Sequence, residues 1–291
     1  MDFESALVEL YRLMATDLSP DMDSAMKRAL SEEEPDTIAS KALGIICENI
    51  RLARDECQPM CQDTGTPIIF VEAPEGESTI KFREILTNAT RRATKEIPLR
   101  PNAVDIVTSK NTGDNVGEHI PIIYFEHWDK PYWRIQGLMK GGGSENVGDR
   151  YKLPDKALNA GRNLDGIRKC VIDAVFKSQG MGCPPYVAGI GIAGMKDQAS
   201  WRAKRALLRP GSERNPNPEI AALELLLMEE LNQLGIGPIG AGGKNTVLWV
   251  AIDGFHRHPA TFFVDVTMMC WANRKCTMEW DGKEAKYIRG T

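Results

Sequence analysis

Helix-patterned segments and short β-branched runs interleave along this chain without a regular β-α beat. That order predicts an α/β mixed fold, helices packed on mixed β-sheets in a single compact domain. Apolar residues at three- and four-residue spacing predict helices over 2–16 and 36–54. In the second, Ile38, Ala42, Ile45, Ile46, Ile50 and Leu52 form one broad apolar stripe, and Cys47 falls in the core. STIKFREILTNATRRATKEI (78–97) reads as a charged-faced helix ended by Pro98 and Pro101. A long helix lies within 153–180. DQASWRAKRALLR is a helix with Asp197 as N-cap. The clearest helix has Asn217 as N-cap, Pro218 in its first turn and Gly235 as C-cap. TPIIFVEA, AVDIVT, HIPIIYFEHW, YWRIQGLM, PPYVAGIGIAG, TVLWVAID and TFFVDVTMMC read as strands.

The chain has 291 residues, 42% of them hydrophobic, enough to bury a proper core. A net charge of −4 argues against nucleic acid or an anionic membrane as partner. No apolar run approaches the ~20 residues that span a bilayer. The N-terminus carries acids early, the wrong charge for a secretory or transit peptide, so the expected compartment is cytoplasmic. Seven cysteines stand at 47, 57, 61, 170, 183, 270 and 276. An odd number without a signal argues against a disulfide framework, which leaves thiols for packing, chemistry or metal.

GIGIAG (189–194) matches G-x-G-x-x-G between an apolar run and a helix. A dinucleotide site needs a second strand ending in an acid ~20 residues on. Here RPGSERNPNPE, a loop, follows, so these glycines read as a strand that something else approaches closely. GAGGKNT (240–246) has the wrong spacing for a phosphate loop but could form a backbone nest for another anion. KGGGSEN (140–146) spends three glycines on a loop, expected where something approaches the main chain. Cys61 and Cys183 stand beside turn-formers and Cys270 ends a strand, where metal ligands are displayed. Their spacing matches no local ferredoxin motif. Zinc held by Cys57, Cys61, Cys270 and Cys276, with imidazoles from His256 and His258, is equally open on spacing.

CQDTG, LRPNAV, KGGGSEN, GCPPYVAGIGIAG, RPGSERNPNPE, LGIGPIGAGG, RHPATF and CWANR, in that order, resemble the motif series of class I fumarate hydratase and L-tartrate dehydratase α-subunits. The resemblance covers most of the chain and implies an iron–sulfur hydro-lyase α-subunit domain over 1–291. It implies a [4Fe-4S] cluster held by Cys61, Cys183 and Cys270, with one iron open as Lewis acid for dehydrating (S)-malate to fumarate. Cys47, Cys57, Cys170 and Cys276 match no ligand position. Asp63 and His258 are the implied catalytic residues. Gln62, Arg100, Gly141, Gly142 and Gly143 are implied to bind the dicarboxylate substrate. Ser144 favours fumarate and malate over L-tartrate; mesaconate stays open. Single-chain relatives continue into a second domain, so the partner expected here is a separate β-subunit, with assembly as a dimer of αβ pairs. The rival of another class is a zinc-stapled, non-catalytic interaction subunit.

Overall fold

In the computed structural model, which describes residues 1–288, eight α-helices, one short 3-10 helix (Pro238–Gly240) and nine strands are defined among the described residues. Thr291, the end of the expected domain, lies outside them. In chain order they are α1 (Phe3–Thr16), α2 (Pro20–Glu32), α3 (Ile38–Asp55), β1 (Thr66–Pro74), α4 (Thr79–Glu96), β2 (Ile122–Trp128) and β3 (Trp133–Lys140). Next come α5 (Gly142–Glu145), β4 (Gly148–Lys152), α6 (Leu164–Ser178), β5 (Tyr186–Ala193) and α7 (Lys196–Ala206). The chain closes with α8 (Pro218–Gln233), β6 (Val247–Gly254), β7 (Phe263–Met269), β8 (Lys275–Trp280) and β9 (Ala285–Ile288). Helices packed on mixed sheets are what the interleaved pattern predicted. The chain divides into two compact units, each with its own sheet.

The first unit comprises residues 1–20, 48–142 and the segment from 274 onward. Its sheet runs β2-β1-β3-β8-β9, with β1 parallel to β2 and antiparallel to β3. Helices α1 and α4 bring Leu7, Leu10, Met14, Phe82 and Leu86 against Ile69, Ile135 and Met278. Asp2 caps α1 by accepting the Ser5 N–H at 2.7 Å, and Ser78 caps α4 through the Lys81 N–H.

The second unit comprises residues 21–47 and 143–273. Its sheet runs β4-β7-β5-β6, with β5 parallel to β6 and antiparallel to β7. Ala188 and Ile190 of β5 point into a core shared with Val171 and Val175 of α6 and Leu227 and Leu231 of α8. Two of the alternate β5 residues, Gly189 and Gly191, are glycines, and α7 lies on them. A Cβ at Gly191 would stand 1.9 Å from the Ala199 carbonyl oxygen, and one at Gly189 would stand 2.3 Å from that of Ala203. GIGIAG is therefore a helix-packing surface. The RPGSERNPNPE loop ties α8 to β6: buried Glu224 pairs with Arg209 and accepts the Asn215 and Ile252 N–H groups.

Several local expectations change. AVDIVT is not a strand; Asp105 accepts the Val107 and Thr108 N–H groups in a tight turn, leaving Val104 one isolated bridge to Asn111. The side-chain competition for backbone donors outweighs β-propensity there. Asp197 is inside the first turn of α7, and Met195 is its N-cap without a side-chain bond. Leu234 caps α8, with Gly235 following at φ +65°. In α3, Ala42, Ile46 and Ile50 are buried, but Ile38 and Ile45 are about seven-tenths exposed, and Cys47 is only half-buried. Helix α2 and strands β4, β8 and β9 carry too weak a pattern to be read from sequence.

Candidate functional site

In the first unit, three of the ordered motifs meet at the turn that follows Cys61. Met60, just ahead of it, is held by its N–H to the Ala15 carbonyl at 3.0 Å and by the Asn49 amide at 2.8 Å. Asp63 then uses both carboxylate oxygens. Oδ1 accepts the Gly65 N–H at 3.1 Å, closing the Asp-Thr-Gly turn. Oδ2 accepts the Gly142 N–H at 2.7 Å, tying CQDTG to KGGGSEN across 79 residues. A charged acceptor makes such bonds short and strong. One of the glycine N–H groups expected to face a ligand is thus already engaged by Asp63.

LRPNAV joins the same junction. The Arg100 N–H donates to buried Thr64 Oγ1 at 3.2 Å, and the Asn102 amide donates to the Gly65 carbonyl at 3.1 Å. Buried Asn115 braces this loop, accepting the Asn102 N–H and donating to the Arg100 carbonyl and to Thr94. The Arg100 side chain is thereby left exposed on a fixed backbone, and Gln62 is exposed as well. Thr64 and Asn115 are positioning residues that sequence reasoning passed over. Thr64 sits inside CQDTG and Asn115 eleven residues past LRPNAV, and a polar residue's burial is not visible from its sequence neighbours.

In the second unit, Cys183 precedes β5 and Cys270 follows β7. Those strands are antiparallel, with Val187 opposite Met269, so both thiols lie at one end of the sheet. The Trp271 N–H donates to the Cys183 carbonyl at 3.2 Å. Cys183 is exposed at φ +61°, a left-handed conformation that a non-glycine residue keeps only when its surroundings impose it. Part of that imposition is Tyr186, whose hydroxyl accepts the Gly182 N–H at 3.0 Å and donates to the Gln179 carbonyl at 2.8 Å. Burial, with smaller contributions from the nearby Cys183 and Cys270, pushes the Tyr186 hydroxyl up to about 12. Gly143, the second residue of α5, belongs to this unit and lies near the Met181 carbonyl.

His258 sits at the other end of this sheet. Its backbone N–H nitrogen would meet a Cβ on Gly194, just beyond β5, at 3.1 Å. The strand length of β5 separates it from Cys183 by ~20 Å or more. Its ring is exposed, and Nδ1 accepts the Ala260 N–H at 3.1 Å. The loop 255–260 is not a strand, so His256 and His258 do not share a strand face.

Cys61, Cys183 and Cys270 are not joined in disulfides and have solvent access, on turns or a strand end. Cys170 and Cys276 are buried, and burial pushes the Cys170 thiol up to about 12. Exposed Cys57 lies 3.9 Å from an Arg12 nitrogen. Among the described residues no three Cys, His, Asp or Glu side chains are already gathered as a metal centre. The donor set of three accessible thiols is the kind that suits an iron–sulfur cluster. Of the four thiols in the expected zinc set, Cys276 is packed in the core of the first unit.

The GAGGKN nest does bind an anion, and the anion is internal. The buried Glu33 carboxylate accepts the Lys244 and Asn245 N–H groups at 2.9 Å and the Asn245 amide at 3.0 Å.

Residues 4–279 match the family described as fumarate hydratase (Fumerase). Over 292 aligned residues, covering 98% of this chain, it is 40% identical to a putative fumarate hydratase class I of Geobacillus stearothermophilus, and it spans 57% of that relative's length. It is 37% identical to a putative L(+)-tartrate dehydratase subunit alpha of Methanocaldococcus jannaschii, over 94% of this chain and 96% of the relative. It is 34% identical to the L(+)-tartrate dehydratase subunit alpha of Escherichia coli K12, over 91% and 86%. The chain therefore belongs to the fumarate hydratase class I family, in which L-tartrate dehydratase α-subunits are also found.

Proposed function

We propose that this chain is the α-subunit of a [4Fe-4S] hydro-lyase that interconverts (S)-malate and fumarate and works with a separate β-subunit. The observation that carries the reading is the Asp63 junction: one carboxylate and its neighbours Thr64 and Gly65 join CQDTG, KGGGSEN and LRPNAV in a single braced surface. Cys61, Cys183 and Cys270 would hold the cluster, which supplies a Lewis acid for the departing hydroxide. Arg100 extends from a fixed backbone, and a planar guanidinium grips a carboxylate by two hydrogen bonds. Gln62 is exposed on the same turn as Asp63 and supplies a further polar contact to the substrate.

Asp63 is the candidate for the carbon-bound proton. Two backbone donors fix its orientation and leave lone pairs on both oxygens for a third partner. Its carboxylate belongs to the turn that also presents Cys61, which places base and metal ligand two residues apart. His258, at the far end of the sheet from Cys183 and Cys270, is not given the proton step in this reading. With Nδ1 accepting a backbone N–H, its neutral ring carries the proton on Nε2 and offers a donor.

The test is anaerobic co-purification with the β-subunit, followed by iron and sulfide analysis and assay on malate and L-tartrate. The expected outcome is about four irons and four sulfides per chain and faster turnover of malate. Cys183→Ser should abolish the cluster and Cys170→Ser should not. L-tartrate is the second reading, supported by the two α-subunit relatives that this chain matches almost end to end. Zinc without sulfide would overturn both.

A further inference from the structure

Arg274, the last residue of CWANR, plays no part in the mechanism above. It is the largest fully buried side chain among the described residues, only 1% exposed. A buried guanidinium is costly unless its donors are paired. Here Nε donates to the Met139 carbonyl at 3.2 Å, and the Met139 N–H donates back to the Arg274 carbonyl at 2.9 Å. Nη2 lies 2.9 Å from the point where a Cβ on Gly141 would stand, and Asp63 Oδ2 lies 2.9 Å from the same point. Guanidinium and carboxylate therefore flank the Gly141 backbone, no further apart than twice that distance. Nη1 has no hydrogen-bond partner among the described residues. All of these residues belong to the first unit.

A residue kept only to staple the core would pair its donors or be replaced by an apolar side chain at little cost. Arg274 instead holds the loop whose N–H captures Asp63, and places its charge beside that carboxylate. Glycine at 141 is what lets both groups close on the main chain. We propose that Arg274 is a positioning residue: it shapes the Met139–Gly142 segment so that Gly142 clamps Asp63, and it fixes the direction in which Asp63 faces the substrate. The catalytic consequence rests on the hydro-lyase reading; the structural claim does not.

Hydrogen exchange by mass spectrometry on the full chain tests the structural claim. Arg274→Met should speed exchange about tenfold or more in peptides covering 61–66 and 139–146, and Arg274→Lys should do so less. Peptides of β5, in the other unit, should keep wild-type rates. Unchanged exchange in the first two regions, or an equal rise everywhere, overturns the proposal. The second arm uses the cluster-loaded α- and β-subunits together, with Asp63→Asn, Arg274→Met and the double variant. Arg274→Met should lower kcat/KM about 30-fold alone but less than about threefold in the Asp63→Asn background, because both changes disable one group. Its iron and sulfide content should match wild type. Equal factors in both backgrounds, or loss of the cluster, would overturn the proposal. A wild-type pair that dehydrates no hydroxy acid would sink the hydro-lyase reading, while the exchange arm would still decide Arg274.

Discussion

Gly191→Ala tests what the GIGIAG segment is for. A Cβ at 191 would stand 1.9 Å from the Ala199 carbonyl oxygen and 2.5 Å from the Ala203 nitrogen. Both are helix backbone atoms, so no side-chain rotation relieves the overlap, and α7 must withdraw from β5 by about 1 Å or more. A gap of that size forfeits roughly a quarter to a half of each atomic contact across the interface. The interface is built from small residues, with Ala199, Ala203 and Ala206 all buried, so nothing can swing in to fill it. Overpacking of this kind costs ~3 kcal/mol, the upper part of its usual range. At ~2–4 °C per kcal/mol for a chain of this size, the midpoint should fall by roughly 6–12 °C in thermal unfolding followed by circular dichroism. Gly44→Ala is the control. Gly44 lies inside α3 with open space where a Cβ would be. Alanine there should stabilise by ~0.5–1 kcal/mol. A Gly191→Ala midpoint equal to wild type would refute the packing argument. So would tight dinucleotide binding by wild type that this substitution abolishes.

Glu33→Ala removes the anion from the GAGGKN nest and leaves the Lys244 and Asn245 N–H groups without their acceptor; a loss of ~3 kcal/mol in urea unfolding is expected. Cys170 links stability to alkaline pH. Its ordinary value of 9.0 rises to about 12 on folding, chiefly by burial and then through Asp155, Asp173 and Asp149. The folded state therefore holds a proton that the unfolded state releases, and stability should fall as pH rises from about 9 towards 12. Cys170 contributes up to ~1.4 kcal/mol per pH unit to that slope, and this contribution should be missing from Cys170→Ala in paired urea titrations. Tyr186→Phe strands the Gly182 N–H, and a loss of ~1–2 kcal/mol should accompany several-fold faster alkylation of Cys183 by iodoacetamide.

Much of the fold was legible because its signals are local. Asn217 and Pro218 open α8 as their chemistry requires, and the apolar runs of β1, β5, β6 and β7 are strands. Failures occurred where a side chain competed with the pattern, as Asp105 does in AVDIVT, or where the pattern was thin, as in α2. The ordered motifs named the family, and residue spacing within each motif is enough for that. Sequence by itself could therefore determine the class of fold, the family and a list of candidate groups. It could not determine which of those groups meet. Asp63 reaches Gly142 across 79 residues, and the glycine nest is satisfied by a glutamate more than 200 residues away. His258 and Cys270, twelve residues apart, end at opposite ends of one sheet because an extended strand of seven residues runs between them. Arg274 looks like any surface cation until burial and an unpaired donor single it out. Such facts arise from long-range packing, where the cost of leaving a charge or an N–H unpaired selects partners that no local window contains.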